Sequence, residues 1–150
     1  MPGSFVEITP TVDTAIYASG DRVGSIQTIL GANEGGGRLT TLQGLVVVDK
    51  SKQKSVLTLF FFDELPAVAS ADQAAADITD AEMVDKCLGY VAIAAADYRD
   101  LANNSTATVK DINLYLKPKT SGTLYAVLVS GGTPTYTSTS DLCFKYTFEW

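Results

Sequence analysis

The 150-residue chain contains no histidine, and this absence excludes many catalytic mechanisms. Without an imidazole there is no Ser-His-Asp or Cys-His relay and no His-ligated zinc, copper or iron site. The cysteines, Cys87 and Cys143, are far apart in sequence and neither belongs to a C-x-x-C pair, so two buried free thiols are expected. We therefore predict a non-enzyme without cofactor or metal. A hydrolase using only carboxylates, such as Asp63 and Glu64, stays open, because their separation in space decides that chemistry.

Positive charge and long apolar runs are also scarce. The 11 Lys and Arg residues are outnumbered by 17 Asp and Glu residues, which gives a net charge of −6. A chain of this charge without a basic cluster is repelled by phosphate backbones and anionic lipids, so no nucleic acid and no membrane partner is expected. The apolar run 57–62 is far shorter than the ~20 residues that span a bilayer. Residues 1–6 lack the pattern of a secretory signal, which predicts assembly in a cytoplasm.

Length and composition predict a single domain over residues 1–150. A domain of this size buries enough surface to fold without a disulfide or a metal. The chain is 46% hydrophobic and only 19% charged, against about 25% charged in an ordinary globular protein. This composition indicates that part of the apolar surface contacts neighbouring molecules.

Short apolar or alternating runs, separated by turn-forming residues, predict about eight strands and an all-β fold. The clearest run is 142–150, where aromatic residues alternate with mostly polar ones and place one face in the core. In 110–117, we expect Ile112, Leu114 and Leu116 to point inward. Eight short strands with long end loops favour a jelly-roll β-sandwich. The predicted strands are 5–8, 21–30, 45–48, 56–62, 88–94, 110–117, 122–130 and 142–150.

One segment departs from the β pattern. Residues 67–87 are rich in alanine, and Thr79-Asp80-Ala81-Glu82 matches the capping box found at helix starts. We predict a short helical insert at about residues 71–87, within a long connection between strands. Its acidic residues predict a solvated acidic face.

Candidate contact residues are aromatic and basic side chains that the pattern places in loops or in an extended N-terminal arm. We expect contacts from residues 1–10, taken as such an arm, and from the loops 31–38, 96–104 and 131–140. Exposed tyrosines provide large, rigid contact areas, although loop tyrosines also pack inward. The candidates are Phe5, Tyr17, Arg38, Tyr98, Arg99 and Tyr136.

Three stretches together resemble a family of small virion proteins of tailed bacteriophages. They are Asp13-Thr14-Ala15-Ile16-Tyr17-Ala18-Ser19-Gly20-Asp21, residues 37–63 with Val46-Val47-Val48-Asp49-Lys50-Ser51, and Gly122-Thr123-Leu124-Tyr125-Ala126 with Gly132-Thr133-Pro134-Thr135-Tyr136. The resemblance implies a capsid cement or decoration protein with a jelly-roll sandwich. Such proteins bind the outer shell as homo-oligomers and clamp adjacent major capsid proteins, and they carry no catalytic residues to transfer.

The expected function is therefore capsid stabilisation on the virion surface, after assembly in the host cytoplasm. The expected partners are the major capsid protein and further copies of the chain, as a homotrimer in preference to a homodimer. Two other functions stay open. One is a lectin-like, carbohydrate-binding jelly-roll module displayed on the virion, and the other is a tail or baseplate component.

Overall fold

The computed structural model describes residues 2–150, which form two antiparallel sheets packed face to face. These described residues contain one helix, α1, at Asp80–Lys86, and a 3₁₀ turn at Ala95–Asp97. The strands in chain order are β1 Gly3–Ile8, β2 Gln27–Ile29, β3 Thr40–Asp49, β4 Leu57–Phe62, β5 Cys87–Ile93, β6 Tyr98–Asp100, β7 Ser105–Val109, β8 Leu114–Leu116, β9 Leu124–Ser130 and β10 Leu142–Glu149.

The strand order is that of a jelly roll. The first sheet runs β1-β10-β3-β7-β6, with β8 pairing β3 beyond the end of β7, and the second runs β2-β9-β4-β5. Without the short β6 and β8, eight strands remain, and the chain passes between the sheets at every connection except β4 to β5. This arrangement confirms the predicted fold class, a β-sandwich of the jelly-roll type.

Aromatic residues of β10 fill the space between the sheets. Phe144, Tyr146 and Phe148 are fully buried on the inner side of this strand, which lies between β1 and β3. The ring of Tyr146 meets that of Phe61, on β4 of the opposite sheet, edge to face at 6.1 Å. The alternation along the C-terminal strand therefore predicted the centre of the core correctly.

The predicted strand 110–117 is wrong in its first half, because residues 110–113 do not form a strand. Asp111 and Asn113 have φ angles of 52° and 51°, a left-handed conformation that Asp and Asn tolerate better than most residues. Only Leu114–Leu116 forms a strand, and the preceding strand, Ser105–Val109, is too polar for its sequence to have stood out.

The predicted strand 21–30 is also shorter in the structure, where β2 spans only Gln27–Ile29. Gly24 interrupts the segment with a φ angle of 73°, and a Cβ atom at this position would lie 2.8 Å from the carbonyl oxygen of Thr11. Only glycine fits there, so the backbone turns before it joins β9.

The predicted helix is confirmed at its capping residue but begins later than expected. The Thr79 hydroxyl accepts a hydrogen bond from the Glu82 backbone N–H at 3.3 Å, as an N-cap should. Residues 71–79 are not helical, because their backbone bonds elsewhere. Arg22 N–H donates to the Ala74 carbonyl, and Gln73 N–H donates back to the Arg22 carbonyl.

Candidate functional site

Three of the candidate contact residues, Tyr17, Tyr98 and Tyr136, are buried, so the expectation that they present exposed rings is wrong. Tyr17 is 1% exposed, and its ring meets that of Tyr136 edge to face at 6.0 Å. The Tyr17 hydroxyl donates to the Asp72 carboxylate at 2.8 Å, and the Tyr98 hydroxyl donates to the Ser55 carbonyl at 3.0 Å. Burial raises the pKa of all three hydroxyls. These tyrosines pack the loops at one end of the sandwich together.

The loops pack inward at this end because they bond to one another. Val12 N–H donates to the Thr139 carbonyl, and Tyr17 N–H donates to the Pro134 carbonyl. A sequence pattern identifies such segments as loops but does not tell that two of them, far apart in the chain, cover a common tyrosine cluster.

The other three candidates, Phe5, Arg38 and Arg99, are exposed but lie far from one another in the fold. Phe5 lies on β1 and Arg99 on β6, which form opposite edges of the first sheet. Arg38 lies in the loop between β2 and β3, where its guanidinium is 3.7 Å from the Glu34 carboxylate. The structure therefore does not unite the six candidates in one site. The predicted N-terminal arm is instead the edge strand β1, paired with β10 over its whole length.

A groove that sequence reasoning did not identify lies on the outer side of the second sheet, where the insert 63–86 folds against it. The groove has a volume of about 280 Å³. Its walls are Gly20, Phe60, Ala76, Ile78, Met83 and Val129. Beside it, the exposed ring of Tyr90 lies against Phe60 with ring centroids 5.8 Å apart. We call Phe60, Ile78, Met83, Tyr90 and Val129 the insert face.

The insert face is apolar and open to solvent. Tyr90 is 62% exposed, and Val84, the residue after Met83 on α1, is 84% exposed. No residue of α1 is buried. A cluster of large, solvent-exposed apolar side chains is typical of interaction surfaces. One feature of the sequence could have identified this face. The strands that carry Phe60 and Tyr90 have apolar residues on both faces, so some of these residues must point away from the core.

The insert beside this face carries the net charge of the whole chain. Residues 63–86 contain seven carboxylates and a single lysine, which gives −6, and the rest of the chain has ten acidic and ten basic side chains. Asp77, Asp80 and Asp85 are exposed, so the predicted acidic face is present beside the apolar groove, whereas Asp72 accepts the Tyr17 hydroxyl.

Two ion pairs involve the insert, one within it and one to the sandwich. Lys86 contacts Glu82 at 2.7 Å within α1, and this hydrogen bond lowers the pKa of Glu82 and raises the pKa of Lys86. Lys119, in the loop before β9, contacts Glu64 at 2.6 Å, which raises the pKa of Lys119. Partial burial, followed by the neighbouring Glu64 carboxylate, raises the pKa of Asp63.

A second surface crosses the outer side of the first sheet. Its depressions are lined by Phe5 and Thr147, by Gly44, Val46 and Thr108, and by Arg99 and Lys110. This surface mixes charged, hydroxyl and apolar side chains, whereas the insert face is almost wholly apolar.

Within residues 2–150, no three His, Cys, Asp or Glu side chains are placed to hold a metal ion. Cys143 is buried and Cys87 is half-buried, and both are free thiols. Glu64, one of the two carboxylates considered for hydrolysis, is paired with Lys119. Among the described helices, none is long and apolar enough to cross a membrane.

Comparison with known proteins gives no family for the chain. No family model matches it, and no curated protein does. Among solved structures, a chain of tomato aspermy virus is 8% identical with a TM-score of 0.37, covering 98% of this chain and 75% of that one. A chain of infectious bursal disease virus, Gt strain, is 12% identical with a TM-score of 0.39, covering 98% and 32%.

A third similar structure contains a carbohydrate-binding module. It is the CBM22-1-GH10 part of xylanase 10B from Clostridium thermocellum, complexed with xylohexaose, at 10% identity and a TM-score of 0.27. The likeness covers 99% of this chain and 24% of that one. The jelly-roll assignment rests on the strand order of this chain and not on these structures.

Proposed function

We propose that this protein is a virion structural protein, a cement or decoration protein that binds the outer surface of a bacteriophage capsid as a homo-oligomer and clamps adjacent major capsid proteins. The observation that carries the proposal is the insert face, an exposed apolar surface on a jelly roll. Covering a surface of this kind with another protein lowers the free energy, because apolar area is removed from water. The resemblance to phage virion proteins supports the capsid as that partner.

The acidic insert supports a partner protein whose contact surface is neutral or basic. Like charges across an interface are costly, whereas complementary charges speed association and fix orientation. An oligomer that touches several shell subunits at once gains avidity from weak single contacts. The resemblance implies a small homo-oligomer, and the sequence-based expectation is a trimer in preference to a dimer.

The test uses phage particles that lack this protein. Adding the purified chain should raise the temperature at which the particles release their DNA, measured with a dye that binds released DNA. Tyr90→Ser should weaken this protection, because it removes the exposed ring from the insert face. Tyr115→Ser is the matched control, since Tyr115 is 67% exposed on β8 of the other sheet. Particles that break at the same temperature with and without the wild-type chain would falsify the role.

Carbohydrate binding is the second candidate function, and one observation favours it. The exposed Tyr90 ring beside Phe60 offers an aromatic surface of the kind on which sugar rings stack. A glycan array probed with the wild-type chain should then give signals that Tyr90→Ser removes. An array without signals contradicts this candidate. A tail or baseplate location is distinguished by antibody labelling of whole particles in electron micrographs.

A further inference from the structure

The outer edge of β1 has unpaired backbone groups that can be assigned one by one. Trp150 N–H donates to the carbonyl of Pro2, the residue that continues the β1–β10 register opposite it. Hydrogen-bonded and non-hydrogen-bonded pairs alternate along antiparallel strands. Ser4, Val6 and Ile8 therefore direct their backbone groups toward β10. The backbone groups of Gly3, Phe5 and Glu7 point away from the sheet.

These three residues are exposed, and within residues 2–150 none of them has a backbone hydrogen bond outside the β1–β10 pairing. The six residues of β1 include neither proline nor lysine, and its pairing with β10 has no bulge. Natural proteins commonly protect exposed edges with such residues or with bulges. The other edges differ, since β2 and β6 have only three residues each and the pairing of β5 with β4 has a register shift.

We infer that two copies of this chain pair through β1, antiparallel about a two-fold axis at Phe5, so that their first sheets join into one. In this register each Phe5 exchanges both backbone bonds with its counterpart, and Gly3 does so with Glu7 of the other copy. Residues directly opposite lie on the same face of a sheet, so both Phe5 rings lie on the outer face. Phe5 is 62% exposed in the single chain.

Repulsion between like charges disfavours the insert face as the contact between copies and leaves the β1 edge as the better candidate. Glu7 is the one charged residue of β1, and its register partner on β10 is Lys145. In the proposed register the two Glu7 residues lie four residues apart along the strand direction, about 13 Å, which exceeds the Debye length of ~8 Å at physiological salt. Joining two insert faces would instead bring together two segments that each carry −6.

The contact is isologous, meaning that the same surface is used on both copies, and it closes after two chains. It therefore gives a dimer and not the trimer that was expected in preference from the sequence. This inference rests on the proposed function for the expectation of a homo-oligomer. Its test uses the purified chain alone, so a failure of self-pairing and a failure of shell binding are observed separately.

The test is sedimentation equilibrium of the wild type, Glu7→Pro and Glu7→Thr over a wide concentration range. Proline at residue 7 removes an N–H that points away from β10, so it leaves the β1–β10 pairing intact, whereas threonine keeps that N–H. We expect a wild-type dimer and a Glu7→Thr dimer of similar affinity. Each Glu7→Pro dimer loses two strand bonds, so its dissociation constant should rise at least about tenfold.

Thermal melting should show the same cooperative transition for the Glu7→Pro and Glu7→Thr monomers, and Phe5→Pro provides a second edge variant. A wild type that stays monomeric overturns the inference, as does a dimer that Glu7→Pro and Phe5→Pro leave unchanged. A trimer also overturns it, because three chains do not fit a two-fold contact. None of these results changes the outcome of the particle assay for the shell role.

Discussion

The hydroxyl of Tyr146 donates a hydrogen bond to the side-chain carbonyl of Gln27 across the fully buried core. Tyr146 lies on β10 of the first sheet and Gln27 on β2 of the second, so one polar contact links the two layers. The Gln27 amide nitrogen has no partner among the described residues. Burial also raises the pKa of Tyr146 well above its ordinary value.

Tyr146→Phe should destabilise the fold by about 1–3 kcal/mol, because it leaves the buried Gln27 carbonyl without a donor. The free energy of unfolding in urea measures this. The double variant Tyr146→Phe with Gln27→Leu removes both polar groups and should recover most of the loss. A double variant that is as unstable as the sum of the single variants contradicts this account.

Deleting residues 148–150 should give insoluble protein. Phe148 is fully buried, and the deletion removes core from a strand held between two others. A single Phe148→Ala change should cost about 3–5 kcal/mol. Solubility and thermal melting of the truncated chain are the measurements, with Trp150→Ala, a half-buried terminal residue, as the control. A soluble truncation with a cooperative melt shows that this strand end is dispensable.

Asp63→Asn should stabilise the protein at neutral pH. Burial and Glu64 raise the pKa of Asp63, so in the folded state its ionised form is disfavoured. Between its ordinary pKa and the raised value, the folded chain binds more protons than the unfolded one, so stability falls as pH rises. The advantage of the asparagine should therefore be greatest above the raised pKa and disappear below the ordinary one. Urea unfolding from acid to neutral pH tests this, and an equal effect at every pH contradicts it.

Alkaline solution should unfold the protein. Burial raises the pKa of Tyr17, Tyr98, Tyr136 and Tyr146, so each keeps its proton more tightly when folded. Their stabilising contribution is present below about pH 10, the ordinary tyrosine pKa, and is lost as pH rises above it. These four of the seven tyrosines should ionise together with the loss of near-UV circular dichroism. Their ionisation in a chain that keeps its native dichroism contradicts this.

The sequence predicted most of the fold where side chains alternate or where a cap has a local signature. The aromatic face of β10 and the Thr79 cap are examples, since neighbouring residues suffice to determine both. It failed where distant segments decide the outcome. The burial of Tyr17 depends on Asp72, which is 55 residues away, and the residues before α1 bond to Arg22 instead of forming helical turns.

The candidate site was predicted less well for the same reason. The insert face forms only when α1 packs over Phe60 and Val129, which lie on neighbouring strands of one sheet but far apart in the chain. Which backbone groups of β1 point outward likewise follows from its register with β10. The bond from Trp150 N–H to the Pro2 carbonyl, between residues far apart in sequence, identifies that register. Neither relationship is visible in a local pattern.

Because the insert holds the full charge of −6 while the rest of the chain has no net charge, the excess negative charge lies at the outer side of the second sheet. A charged body that approaches the molecule exerts a torque as well as a force, and the molecule turns before contact is made. The insert therefore faces a positively charged surface and points away from a negatively charged one. Added salt weakens this alignment, and with it the rate of productive encounter, more than it weakens the contact once formed.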